Sequence, residues 1–340
     1  MQKAPHLNDC PWLDLEALRD STLFITGGTG LVGFNVLQEL TRISKSMNLR
    51  ILALVRDPVR ATEKFAALSD EVTLIAGDVQ NCPAIDEPID YIIHGASPTA
   101  SRFFVEQPVE TILTAVEGTR NMLELARRKQ VRGMVYLSSM EVYGTVNDPR
   151  LLTEADLGFV DPQQVRSSYP ESKRMCESLC AAYHSEYGVP VSIARLVQTF
   201  GPGIPANDTR VVVQFIRSAM AGEDISIKAS GDTARMYLYT FDAVSALLTL
   251  LLGGVGGTAY NVANKDSYSS IKELAATVTD LFGSRGAVRT NTGTEEERRM
   301  YPPDSFLRLD VSRLEGLGWR PLVSHRDGLR ALAESFNYFG

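Results

Sequence analysis

The chain has 340 residues, 44% hydrophobic and 22% charged, with 34 basic against 41 acidic side chains and a net charge of −7. That balance argues against nucleic acid or an anionic membrane as partner, and the length suits one large α/β domain or a large and a small one. Four cysteines, at 10, 82, 176 and 180, are too sparse for a disulfide framework and point to a reduced, cytoplasmic compartment. Residues 1–20 lack the apolar core of a signal peptide and read as an N-terminal extension, with a short helix around Leu13 to Leu18. The most apolar run, Ala243 to Leu252, is too short to span a bilayer.

The first strand is the apolar run Leu23 to Ile25. A glycine-rich turn follows, with Gly27, Gly30 and Gly33 spaced G-x-x-G-x-x-G, and a helix opens near Leu31. A turn of this kind lets backbone approach a pyrophosphate. Thr29 and the helix-opening residues Leu31, Val32 and Gly33 then offer unpaired N–H groups at the positive end of the helix dipole. A second strand, Ile51 to Val55, ends at Arg56-Asp57. An acidic residue at that place suits NAD and an arginine suits the 2′-phosphate of NADP, so Arg56 leans towards NADP and leaves NAD open. The third strand, Val72 to Ile75, ends at Gly77-Asp78-Val79, where Asp78 reads as an acceptor for the adenine amino group or as part of a turn. The fourth, Tyr91 to Ile93, ends at His94-Gly95-Ala96-Ser97.

A helix from about Pro108 to Lys129, a fifth strand from Met134 to Leu137, a helix from Tyr169 to Tyr187 and a sixth strand from Val191 to Ala194 complete the alternation. Nearly continuous apolar strands between helices predict a doubly wound parallel sheet of Rossmann type, covered on both faces, with ligands at the carboxyl ends of the strands. Cys176, Cys180 and His184 fall at i, i+4 and i+8 and read as a packed helix stripe in preference to a metal-binding face. Beyond Ala194 the periodicity breaks. Helices are expected at Val211 to Ala221, Asp242 to Leu252, Ser270 to Phe282 and His325 to Asn337, with 283–309 mostly loop. The expected organisation is an extension (1–20), a dinucleotide-binding domain (21–195 with about 236–262) and a smaller C-terminal substrate-binding lobe (196–235 and 263–340).

The chemistry centres on Tyr169-Pro170-Glu171-Ser172-Lys173. Ser168 and Glu171 have the spacing of a capping box, and Tyr169 and Lys173 are then one helical turn apart. An ammonium beside a phenol favours the phenolate, which can take a proton from a sugar hydroxyl while hydride leaves. Ser138-Ser139-Met140-Glu141, at the end of the fifth strand, adds a hydroxyl for the same oxygen. Glu141 reads either as a base on substrate carbon or as a salt-bridge partner.

In order along the chain, Thr26-Gly27-x-x-Gly30-x-x-Gly33, Gly77-Asp78-Val79, His94-Gly95-Ala96-Ser97-Pro98, Ser138-Ser139-x-Glu141-Val142-Tyr143-Gly144, Tyr169-x-x-x-Lys173-Arg174 and Leu317-Gly318-Trp319-x-Pro321 resemble the extended short-chain dehydrogenase/reductase family. The branch is the NAD-dependent epimerases and dehydratases that modify nucleotide sugars, and the likeness runs from about Leu23 to Leu329. It implies Ser139, Tyr169 and Lys173 as catalytic residues, with Glu141 assisting. It places the cofactor against Gly27, Thr29, Gly30, Leu31, Val32, Gly33, Arg56, Asp78, Val79, Ala96, Tyr169 and Lys173. It implies substrate contacts at Gln198, Arg210, Arg235 and Arg299. The Asp208-Thr209-Arg210-Val211-Val212 stretch and Pro98 look like the UDP-glucuronate decarboxylases.

Three positions depart from the family, one of them Arg56, which replaces the usual acidic residue. Met140 stands where the hexose 4,6-dehydratases carry an acid, and Gln198 replaces a usual asparagine. The resemblance implies epimerisation through a transient keto sugar, oxidised at C4. Decarboxylation of a UDP-glucuronate-type substrate, 4,6-dehydration and keto-sugar reduction are the alternatives, and outside enzymology a catalytically inactive cofactor-binding regulator. It further implies a homodimer through the Pro108–Lys129 and Tyr169–Tyr187 helices, whose apolar stripes are Ile112, Val116, Met122, Leu123, Ala126 and Cys176, Leu179, Cys180, Tyr183, Tyr187.

Overall fold

The computed structural model describes residues 4–227, 230–290 and 305–339. Seven strands make one parallel sheet: β1 (Thr22–Thr26), β2 (Arg50–Val55), β3 (Val72–Ala76), β4 (Tyr91–His94), β5 (Gly133–Ser139), β6 (Val191–Leu196) and β7 (Ala259–Val262). Their spatial order is β3-β2-β1-β4-β5-β6-β7. The chain thus reverses direction across the sheet between β1 and β4, the place where such folds bind ligands.

The helices are α1 (Leu31–Met47), α2 (Pro58–Phe65), α3 (Ser101–Glu106), α4 (Pro108–Lys129), α5 (Ser168–Tyr187), α6 (Val211–Ala221), α7 (Thr240–Gly253), α8 (Ile271–Phe282) and α9 (His325–Phe339). Strand alternation divides the core. Leu23 and Ile25 of β1 join one apolar cluster with α1 and α7, while Phe24 between them joins a second with α4 and α5. A third cluster gathers Phe200, Tyr237 and the inner faces of α6, α8 and α9. Among the described residues no helix is long and apolar enough to cross a membrane.

Several expectations change. In the N-terminal segment the expected short helix is a 3-10 helix, Leu15–Leu18, and a second, Leu7–Asp9, precedes it. Leu7, Cys10, Leu15 and Leu18 are buried in the first cluster. The Trp12 indole donates to Thr249 Oγ1 at 3.2 Å, and Tyr91 Oη donates to the Ala17 carbonyl at 3.1 Å. The seventh strand carries Asn261 fully buried, which hides its apolar signal. The cost of burying that amide is met by bonds to Tyr143 Oη, the Leu152 carbonyl and the Asp310 carbonyl.

The two helix stripes also divide. Met122, Leu123, Ala126, Cys176 and Cys180 are buried within the protomer, whereas Val109, Ile112, Leu113, Met175 and Tyr187 stay exposed. His184 donates from Nδ1 to the Val189 carbonyl at 3.0 Å, its ring against Gly256 and Gly257. Among the described residues no His/Cys/Asp/Glu group is arranged to hold a metal.

Short strands complete the other end of the cleft. Gln198–Phe200 pairs in parallel with Tyr237–Tyr239. Ala234–Arg235 lies between Ser269–Ser270 and Phe306–Leu309, and the latter also pairs with Leu151–Leu152.

Candidate active site

The loop after β1 is shaped by three glycines. Gly27 has φ +78°, a left-handed conformation, and a Cβ there would lie 2.6 Å from the Gly95 carbonyl carbon and 2.8 Å from the Ala96 nitrogen. A Cβ on Gly33 would meet the Gly27 oxygen at 2.3 Å. The Gly30 N–H donates to that oxygen at 2.9 Å, and Gly30 is the N-cap of α1 with no side chain capping the helix. The first N–H groups of α1, at Leu31, Val32 and Gly33, have no acceptor within the helix and follow directly on this loop, next to the end of β4. This is a fit for a dinucleotide pyrophosphate.

A buried polar chain holds the two strand ends together. The Ala96 N–H donates to Thr26 Oγ1 at 3.2 Å, Thr26 Oγ1 lies 2.7 Å from His94 Nδ1, and His94 Nε2 lies 3.2 Å from Thr119 Oγ1. Burial drives the His94 pKa down to about 3, so the ring is neutral.

Arg56 stands highly exposed at the end of β2, its Nε 3.9 Å from Asp78 Oδ2. Asp78 also accepts the Gln80 N–H at 2.9 Å, the turn reading of that residue, and Val79 is buried. Lys64 of α2 was outside the sequence reading. Its ammonium donates to the Thr29 carbonyl at 2.7 Å, inside the glycine loop, and sits 5.5 Å over the Phe34 ring. Its helical spacing from Arg60 is the signal that could have found it.

Ser139 ends β5, and its Oγ accepts the Glu141 N–H at 3.2 Å. Ser139 near the Tyr169 phenol favours its ionisation, but burial dominates and pushes the phenol up to about 12. Lys173 is driven down to about 8 by its own burial. Its ammonium donates to the Leu137 carbonyl at 2.7 Å and lies 5.7 Å from the centre of the Tyr169 ring. The expected lowering of the phenol by Lys173 is thus absent from this arrangement, because desolvation of the phenolate is the larger effect.

The expected capping box does not form either. A 3-10 turn, Val165–Ser167, runs straight into α5, so Ser168 is already helical. Its hydroxyl donates to the Phe104 carbonyl at 3.0 Å.

Glu141 is ion-paired. Arg166 Nη2 donates to both its carboxylate oxygens, at 3.0 and 2.8 Å. The Arg166 guanidinium lies 4.8 Å over the Phe104 ring, and Phe104 stacks on Tyr169 with ring centres 4.2 Å apart. Neither Arg166 nor Phe104 is marked in the sequence, since a short helix and an irregular turn bring them together. Met140, between Ser139 and Glu141, is buried in the first apolar cluster.

The candidate substrate contacts come from separate elements. Gln198 is exposed at a strand start, and Arg210 precedes α6 paired with Asp208 at 3.1 Å. Among the described residues the buried Arg235 Nε has no hydrogen-bond partner, a donor that an anionic group would satisfy. Arg299 lies outside the described residues.

Comparison with known proteins supplies the remaining evidence. Residues 23–263 match the family described as the NAD dependent epimerase/dehydratase family. UDP-glucuronic acid decarboxylase 6 of Arabidopsis thaliana is 33% identical over 325 residues, covering 92% of this chain and 88% of the plant protein. UDP-glucuronic acid decarboxylase 1 of Xenopus tropicalis is 32% identical, covering 93% and 72%. The solved UDP-glucose 4-epimerase of Thermotoga maritima superposes with a TM-score of 0.77 at 20% identity, over 93% of this chain and 99% of that one, a likeness of fold. With the glycine cradle, the seven-stranded sheet and these matches in view, the chain belongs to the NAD dependent epimerase/dehydratase family and is an enzyme of that family.

Proposed function

We propose that the protein is a UDP-glucuronate decarboxylase that oxidises the sugar at C4 and releases CO2 from C5, in place of the plain epimerisation that heads the expectations from sequence. The observation that carries it is Met140. Its side chain is buried in the apolar cluster, so no acid stands beside Glu141 to expel a C6 hydroxyl as dehydration requires. The decarboxylase relatives, matched across nearly the whole chain, support the same reading.

The residues divide the work as follows. When bound, an oxidised nicotinamide dinucleotide supplies a hydride acceptor and a positive charge that favours the phenolate. Leu31, Val32 and Gly33 hold its pyrophosphate by backbone N–H groups. Ser139 binds the C4 oxygen and Tyr169 takes its proton. The carboxylate then lies β to a ketone. Its carbon leaves as CO2, and the bonding pair passes to the ketone oxygen, which Ser139 and Tyr169 hydrogen-bond. Glu141 relays from water the proton that C5 gains. Tyr169 gives its proton back to the C4 oxygen as the ketone is reduced. Arg235 and Arg210 are assigned to the diphosphate and nucleotide, and Gln198 to the sugar end, with Arg299 an expected further contact.

Exposed Arg56 supports acceptance of NADP beside NAD. The exposed Val109, Ile112 and Leu113 of α4 and Met175 and Tyr187 of α5 support a homodimer, and a monomeric mass in light scattering at micromolar concentration would sink that part. Four unpaired cysteines, three of them buried, support a cytoplasmic setting, which cell fractionation would test. The deciding experiment is incubation with UDP-glucuronate and NAD⁺, with products read by mass spectrometry and NMR. Loss of CO2 to a pentose is expected. A product of unchanged mass would mean epimerisation and would overturn the proposal.

A further inference from the structure

We propose that Arg166 selects for carboxylated sugars, serving as the shared counter-ion of Glu141 and of the substrate carboxylate. The inference rests on the decarboxylase reading and assigns it a specificity residue. An ionised Glu141 next to Tyr169 is an obstacle to a second anion, because like charges in a partly desolvated cleft repel. Arg166 answers that charge directly, with Nη2 bonded to both carboxylate oxygens.

The guanidinium keeps donors for a second anion. Among the described residues its Nε and Nη1 take no partner, so each can give a single charge-assisted N–H bond to a carboxylate while Nη2 stays on Glu141. The group is also held in place. It lies 4.8 Å over Phe104, which is buried and stacked on Tyr169, so the cation is tied to the catalytic phenol by packing as well as by charge. Arg166 and Glu141 are both partly open to solvent, at 42% and 31% side-chain exposure, as a rim that meets incoming ligand must be. Lys173, the other cation next to Tyr169, is buried and committed to the Leu137 carbonyl, and does not fill this role.

The test uses the full-length protein in a Tyr169→Phe background, so that binding is measured without turnover. UDP-glucuronate and UDP-glucose are titrated with NAD⁺ present by calorimetry. Arg166→Met should weaken UDP-glucuronate by about tenfold or more while UDP-glucose stays within about twofold. Arg166→Lys should recover part of the loss, and Glu141→Gln added to Arg166→Met should recover part by removing the repelling charge. Equal weakening of both sugars would reduce Arg166 to a packing residue and overturn the proposal, as would no change for either. The two ideas fail separately. Release of CO2 by wild-type protein tests the decarboxylase reading, and the ratio of the two affinities in the variants tests Arg166.

Discussion

The two sets of candidate contacts are built by different means. Those proposed for the cofactor are made by backbone: Gly27 against Gly95, the Gly30 N–H on the Gly27 carbonyl, and the first N–H groups of α1. On the substrate side, the candidate groups are long side chains. Glu141 and Arg166 hold one another at the rim, Arg210 leans on Asp208, and among the described residues Arg235 keeps a buried Nε without a partner. Backbone geometry is set once the strands pair and tolerates little substitution. Of the side chains on the other side, Glu141 with Arg166 and Arg210 with Asp208 satisfy each other, and a ligand would have to offer better partners. The first set is suited to one cofactor in many enzymes, and the second to changing the substrate.

The largest effect is expected at Tyr169, the proposed proton acceptor. Tyr169→Phe deletes one hydroxyl from a buried ring, so fold and cofactor binding should survive. Turnover should fall roughly 10²–10⁴-fold, the range for a lost acid–base group. Single-turnover absorbance at the nicotinamide band checks this, and a variant working at the wild-type rate would break the assignment of roles.

Next in size is the buried ion pair beside Ser138, the neighbour of the proposed catalytic serine Ser139. Arg195 donates to Glu177 at 2.7 and 3.0 Å, Ser138 donates to Glu177 at 2.5 Å, and Arg195 reaches Tyr143 Oη and the Glu154 carbonyl. Arg195 is buried and Glu177 nearly so. Arg195→Met strands a buried carboxylate and should cost roughly 3–5 kcal/mol, read from urea unfolding. A loss below about 1 kcal/mol, the range of an exposed pair, would show that this pair is wet.

Cofactor choice sharpens the contrast further, because Arg56 is a side-chain device among the backbone contacts. Arg56→Asp should weaken NADP(H) more than NAD(H), by roughly tenfold in the ratio of affinities. Equal effects on both in titrations would remove the lean towards NADP.

The smallest effect concerns Asp242 of α7, fully buried and accepting the Leu322 and Val323 N–H groups at 2.8 and 3.3 Å. Burial lifts its carboxyl to about 7 against those bonds. The folded state therefore holds a proton that the unfolded chain releases near pH 4. The stability this lends is full below about pH 4 and is lost as pH rises to about 7. Asp242→Asn does not titrate, so the melting temperature of wild type minus that of the variant should fall from pH 5 to pH 8. A difference that stays constant over that range would show that the carboxyl is ionised throughout.

Six of the seven sheet strands and the long helices were legible from residue order alone, because unbroken apolar runs such as Ile51 to Val55 have no stable place except a covered parallel sheet. The glycine cradle was legible for the same local reason: turn, close approach and helix start all lie within one short stretch. The edge strand β7 was not, since Asn261 is tolerated there only by bonds to Tyr143, Leu152 and Asp310, far away in the chain.

Tyr169 and Lys173 could be placed one turn apart by sequence, but their charges could not. Burial raises the phenol and lowers the ammonium, and burial belongs to the whole fold. Glu141 stood open between base and salt-bridge partner until tertiary structure set Arg166, 25 residues on, against its carboxylate and laid the guanidinium over Phe104. Local chemistry is written in neighbouring residues. Desolvation and partner choice are decided by what packs across the gap, and that is a property of the folded chain alone.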